Sequence, residues 1–305
     1  MNHPPFQERR FLFVTGKGGV GKSTVAAALA RALAARGKRV LLASCCGQER
    51  VSLAFDVPRL GGAIQQIADD IYGVHLDPEE ALSEYGGMVL KSRRVFEAVF
   101  NNHLVHSFLA GVPGLHEWAV LGKAWFHSTE VRADGSPRFD TVIYDAPATG
   151  HGLDMLRVPK VIVDVAAPGI LRRDAERAWS MFTDPGYTGV VVVTLPEELP
   201  TTEAIELVHT LQDDLTLPVA RLVVNAVIEE LFSPDERRRL LEPRELDREV
   251  PGDEGVACAV RRAIREHVQA QNLERFADLD VPRTYLPLLD EPNLPRATEQ
   301  LARLL

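Results

Sequence analysis

The stretch RFLFVTGKGGVGKST, Arg10 to Thr24, decides the fold. Arg10 to Thr15 is a short apolar run stopped by a glycine, which reads as a buried strand, and the alanine-rich Lys22 to Arg36 that follows reads as a helix. Between them, Gly16-Lys17-Gly18-Gly19-Val20-Gly21-Lys22-Ser23 fits G-x-x-x-x-G-K-[ST] in the strand-loop-helix setting that a phosphate-binding loop requires. Glycines let successive backbone N–H groups converge on phosphate oxygens, and the helix N-terminus adds positive potential. Lys22 can reach β- and γ-phosphates, and the Ser23 hydroxyl can ligate magnesium. The expected ligands are ATP or ADP with Mg2+, cradled by Gly16, Lys17, Gly18, Gly19, Val20, Gly21, Lys22, Ser23 and Thr24.

Working outward, apolar runs of strand length recur at Arg39 to Ser44, Thr141 to Asp145, Val161 to Ala166, Gly189 to Leu195 and Ala220 to Asn225, with helical stretches between most of them. That alternation predicts an α/β fold, a mainly parallel sheet flanked by helices. One interval interrupts it. From about residue 59 to 127 the only strand-like piece is Ile71 to Leu76, and the remainder has helical spacing, so residues 59–127 are expected to form a helical insertion within a single domain spanning 1–305. Val95, Phe96, Val99, Phe100, Leu104, Phe108 and Leu109 give that insertion an apolar face, suited to the domain's own core or to an apolar client. Arg132 to Pro137 and Leu241 to Gly255 read as surface loops, and Asn293 to Leu305 as a packed terminal helix.

Composition narrows the partners. A chain of 305 residues with 46% hydrophobic content can bury a sizeable core, while a net charge of −9 gives no reason to meet DNA phosphates or an anionic bilayer. There is no apolar run of about 18 residues, and Met1 to Arg10 is polar, so neither an integral membrane segment nor a secretory signal is expected and the compartment is read as cytoplasmic. Three cysteines in a chain of this length argue for reduced thiols rather than a disulfide framework.

Lys17, directly after the first glycine, makes the loop K-G-G-V-G-K-S, which resembles the deviant Walker A motif of the Min, Par, nitrogenase-iron-protein and arsenical-pump ATPases. The resemblance implies a lysine that reaches a partner subunit's nucleotide, and so a nucleotide-dependent homodimer or heterodimer. Asp145 ends an apolar strand and opens Asp145-Ala146-Pro147-Ala148-Thr149-Gly150-His151, similar to the D-T-A-P-T-G-H signature of the arsenical pump-driving and tail-anchored-protein targeting ATPases. Gly111 to Gly122, Val193 to Glu203 and Tyr285 to Leu289 resemble further pieces of that family. By this likeness Lys17, Lys22 and Asp145 are the catalytic candidates, Ser23 and Asp145 the magnesium ligands, His151 a switch residue, Asn225 an adenine contact, and Pro287 and Leu288 neighbours of the base.

The chain departs from the family at Ser44-Cys45-Cys46-Gly47-Gln48-Glu49, where Cys46 replaces the acid that orients the attacking water. Glu49, offset by three residues, is a poor substitute, so two readings stand: an ATPase switching a protein client, with slow hydrolysis, or a nucleotide-binding regulatory subunit that does not turn over and pairs with an active paralogue. Arsenite capture by Cys45 and Cys46 is disfavoured, since adjacent strand residues face opposite ways. Only four methionines are available to line an adaptable apolar groove.

Overall fold

The structure is a computed structural model that describes residues 5–45, 49–90, 115–147, 149–242 and 252–305, apart from the side chains of 85–90, 115 and 149–151. Eight strands form one sheet in the order β3-β4-β2-β5-β1-β6-β7-β8. They are β1 (Phe11–Thr15), β2 (Val40–Cys45), β3 (Gln65–Ala68), β4 (Ile71–Leu76), β5 (Thr141–Asp145), β6 (Thr188–Thr194), β7 (Val219–Val227) and β8 (Arg283–Pro287). Every neighbouring pair is parallel except β3 with β4. This is the expected fold class.

The central strands are apolar at almost every position because both faces are covered. Leu12, Val14, Leu42, Ile143, Val191 and Val193 meet α1 (Lys22–Ala34), α2 (Val51–Phe55) and a C-terminal helix, Leu294–Ala302. Phe11, Phe13, Leu41, Tyr144, Val190 and Val192 point the other way, onto Trp118 of the helix Leu115–Thr129 and Phe182 of the helix Ile170–Phe182. The C-terminal helix is packed as expected: Ala297 and Leu301 are buried, and Arg31 of α1 joins Thr298 (3.1 Å) and the Ala54 carbonyl (3.0 Å).

Three strand readings need correction. Val161 to Ala166 is not a strand, because Val161 to Val165 completes the helix Thr149–Val165. An apolar run of six residues fits either element, and here it is amphipathic: Val161 and Val165 are exposed while Met155, Leu156 and Val158 are buried. The strands β3 and β8 were not anticipated. Gln65 and Gln66 are exposed edge residues with little apolar signal, and β8 carries Arg283 and Pro287.

Within residues 59–127, β3 and β4 form a hairpin whose second strand pairs with β2. Helices Pro78–Leu90 and Leu115–Thr129 follow, and Trp118, Val120 and Leu121 enter the main core. The apolar positions Val95 to Leu109 lie outside the described residues, as do Cys46 and most of the loop expected at Leu241 to Gly255.

Candidate phosphate-binding site

The loop from Gly16 to Gly21 leaves β1 at its C-terminal end and feeds α1. Three of its glycines have positive φ: 145° at Gly16, 87° at Gly19 and 93° at Gly21. Two are also fixed sterically. A Cβ on Gly16 would collide with the Val193 carbonyl oxygen on β6, and one on Gly21 would meet the Asn225 side-chain amide. Asn225 Nδ2 donates to the Val20 carbonyl at 2.9 Å, so the end of β7 ties down the loop from the side. Lys22 Nζ donates to the Lys17 carbonyl at 3.0 Å across the loop.

Strand register delivers the acid. Asp145 is the last residue of β5 and pairs with Val14 on one side and Ser44 on the other, so it stands beside the loop at the carboxyl edge of the sheet. Its Oδ1 is buried and makes no hydrogen bond with any of the described residues. Burial pushes the carboxyl up to about 6 despite the Ser23 hydroxyl bonded to it and the nearby Lys22 ammonium, both of which favour the charged form; Glu49 adds to the rise. Burial likewise lowers Lys22, with Asp145 opposing. A buried anionic oxygen lacking a donor, next to a hydroxyl, suits a hard divalent cation with oxygen ligands. Ser23 and Asp145 therefore fit magnesium.

A cleft of about 710 Å³ opens over these residues, lined also by Thr24, Ser44, Glu49, Arg50, His75 and Pro147. Glu49 is anchored: its two oxygens accept from the backbone N–H of Ser52 (2.8 Å) and Leu60 (3.3 Å), capping α2. Each oxygen keeps an acceptor site beyond those bonds, but the bonds fix the carboxylate against α2. Cys45 Sγ lies 2.7 Å from the Tyr144 hydroxyl in the layer opposite Ser44, as strand alternation dictates.

Lys17 is held in its own chain, its Nζ donating to Glu203 Oε1. Glu203 lies in the helix Glu198–His209, within the Val193–Glu203 piece that the sequence had singled out, although its pairing with Lys17 left no signal there. Pro287 ends β8 and Leu288 follows it, three strands from β1; the Leu288 N–H donates to the Val227 carbonyl at 2.8 Å, and the Leu288 side chain is half exposed. They stand near the end of Asn225's strand rather than around the cleft. The side chain of His151 is not among those described. Sequence reasoning passed over His75, whose signal was the one that marked Asp145: a titratable residue near the C-terminal end of a strand.

A mostly parallel, helix-covered sheet whose first strand runs through a G-x-x-x-x-G-K-S loop into a helix is the fold of a P-loop nucleoside triphosphatase. The profile of the anion-transporting ATPase family matches residues 9–167, and the chain belongs to that family. It is 30% identical to ATPase BagA of Mycobacterium tuberculosis, over 92% of this chain and 88% of that one. Similarity also extends to ATPase GET3 of Kluyveromyces lactis, 26% identical over 72% of each chain. A putative arsenical pump-driving ATPase of Halobacterium salinarum is 29% identical over 74% of this chain, which spans 37% of that protein.

Proposed function

We propose that this member of the family is a cytoplasmic ATP-binding switch that acts as a dimer on a protein client. The observation that carries the reading is the orphaned Asp145 oxygen set against Ser23 and Lys22 beneath a glycine loop. Ser23 and Asp145 would hold Mg2+, which when bound supplies charge neutralisation for phosphoryl transfer. The backbone N–H groups of residues 16–24 would bind phosphate oxygens, with Lys22 leaving the Lys17 carbonyl to join them. Asn225, beside the loop, is placed for a base contact, and Pro287 and Leu288 would reach the base only from further along the same edge.

A second reading, a subunit that binds nucleotide without turning it over and pairs with an active paralogue, is supported by Cys46 in place of the acid and by Glu49, the substitute, being tied to the backbone of α2. Steady-state phosphate release measured beside ATP affinity separates the two. Magnesium-dependent turnover lost in Lys17→Ala supports the self-sufficient switch. Tight binding without turnover, restored by Cys46→Asp, supports the partner subunit; no ATP binding sinks both.

A further inference from the structure

Ser44 pairs in register with Asp145 on β5 and with His75 on β4, so the three side chains form a row on one face at the carboxyl edge of the sheet. Adjacent strands lie about 4.8 Å apart, which puts Ser44 next to the acid and His75 one place behind it. Ser44 Oγ and His75 Nδ1 are 3.0 Å apart, and both residues line the cleft over the glycine loop. The other described titratable groups on that wall are Glu49, Asp145, Lys22, Arg50 and Cys45, whose Sγ lies 2.7 Å from the Tyr144 hydroxyl. Glu49 caps α2, Asp145 is buried against Ser23, and Lys22 and Arg50 are cations. His75 is half-buried, with its backbone N–H fixed to the Gly61 carbonyl at 2.9 Å, so the ring is held from a rigid strand.

We propose that Ser44 and His75 form a proton relay for ATP hydrolysis, with Ser44 touching the attacking water and His75 as the positioning residue that receives the proton. The inference rests on the nucleotide-binding reading above. The relay uses the tautomer with its proton on Nε2, so that the Ser44 hydroxyl donates to Nδ1. Water oxygen bonds to the γ-phosphorus as the bond from that phosphorus to the β–γ bridging oxygen breaks, and ADP leaves with that oxygen. One water proton passes to Ser44 Oγ while the Ser44 proton passes to His75 Nδ1; the imidazolium then returns its proton through Ser44 to the phosphate. Burial lowers the His75 ring below its ordinary value and keeps it neutral and able to accept; Glu49 and Asp77 oppose that shift and Arg59 adds to it. Those three, with Ser44, are the groups facing the ring from the approach to α2, its own strand end, the loop before β3, and β2.

The test is phosphate release and ATP affinity for the full chain with Ser44→Ala, His75→Asn and His75→Ala. Asparagine keeps an acceptor for the Ser44 hydroxyl but takes no proton, so a merely structural role predicts near-normal turnover in His75→Asn. The relay predicts unchanged ATP affinity in all three, kcat down by about tenfold or more in each, and partial rescue of His75→Ala by added imidazole. It also predicts that the acid limb of kcat becomes shallower in His75→Asn, since the proton acceptor that titrates there is gone. Turnover within twofold of wild type in His75→Asn overturns the relay. So does a wild type that binds ATP and releases no phosphate, while leaving the nucleotide-binding reading intact. A chain that binds no ATP refutes that reading, and the relay with it.

Discussion

At the scale of single residues, Asp145 carries an unbalanced cost. A carboxyl that ionises near 6 in the folded chain and near 3.8 in the unfolded one binds its proton more tightly when folded. The fold therefore loses stability as pH rises from about 4 to about 6 and stays penalised above that, by on the order of 3 kcal/mol. Asp145→Asn removes the charge and keeps the shape. We expect the ligand-free variant to melt several degrees above wild type at pH 7.5, with the gap closing below pH 4, by calorimetry across pH. The same variant should lose most magnesium-dependent stabilisation by ATP, because the penalty is what a bound cation would relieve. A variant no more stable than wild type at pH 7.5 would show that the Asp145 oxygen is satisfied in solution.

At the scale of elements, the glycine loop is a place where backbone geometry leaves no choice. Gly16 and Gly21 combine a positive φ with an occupied Cβ position, so Gly16→Ala must displace the β6 backbone, whereas Gly21→Ala has only to push aside the Asn225 amide. Each should cost about 1–3 kcal/mol, Gly16→Ala the more, read as a fall in the urea midpoint at unchanged slope. Equal costs would mean that the β6 carbonyl yields as easily as a side chain. The loop and its flanking strand and helix were legible in the sequence because glycine spacing, a lysine and a buried run all point one way. So was Asp145, at the end of TVIYD, a short apolar run that reads as a buried strand within the alternation of strands and helices. Val161 to Ala166 misled because its apolar run has strand length and follows a proline, yet the helix continues through Pro159 into it. The Ser44–His75 contact was hidden for another reason. Residues 31 positions apart meet only through the pairing of β2 with β4, and pairing is decided by the whole sheet rather than by either segment.

At the scale of the whole molecule, the proposed dimer turns on Lys17. Its ion pair with Glu203 joins two side chains that are each about a third exposed, 30% and 32%. Such a pair is screened by solvent and contributes roughly 0–1 kcal/mol, little enough for a better anion to replace it. In a dimer that brings a second copy's phosphates within reach, the lysine would exchange one carboxylate oxygen for a more densely charged group, with Glu203 left at the surface, where it can be solvated. On the proposed dimer reading, Glu203 would hold the Lys17 ammonium until a partner arrives. Sedimentation velocity with ATP and magnesium should show dimers for wild type and monomers for Lys17→Ala, with ATP affinity within a few fold. Glu203→Gln should dimerise at a lower protein concentration, by up to about fivefold, since it removes the competing charge. If Lys17→Ala dimerises as well as wild type, the lysine does not cross the interface, and its pairing with Glu203 is a fastening of the loop to the helix Glu198–His209 and nothing more.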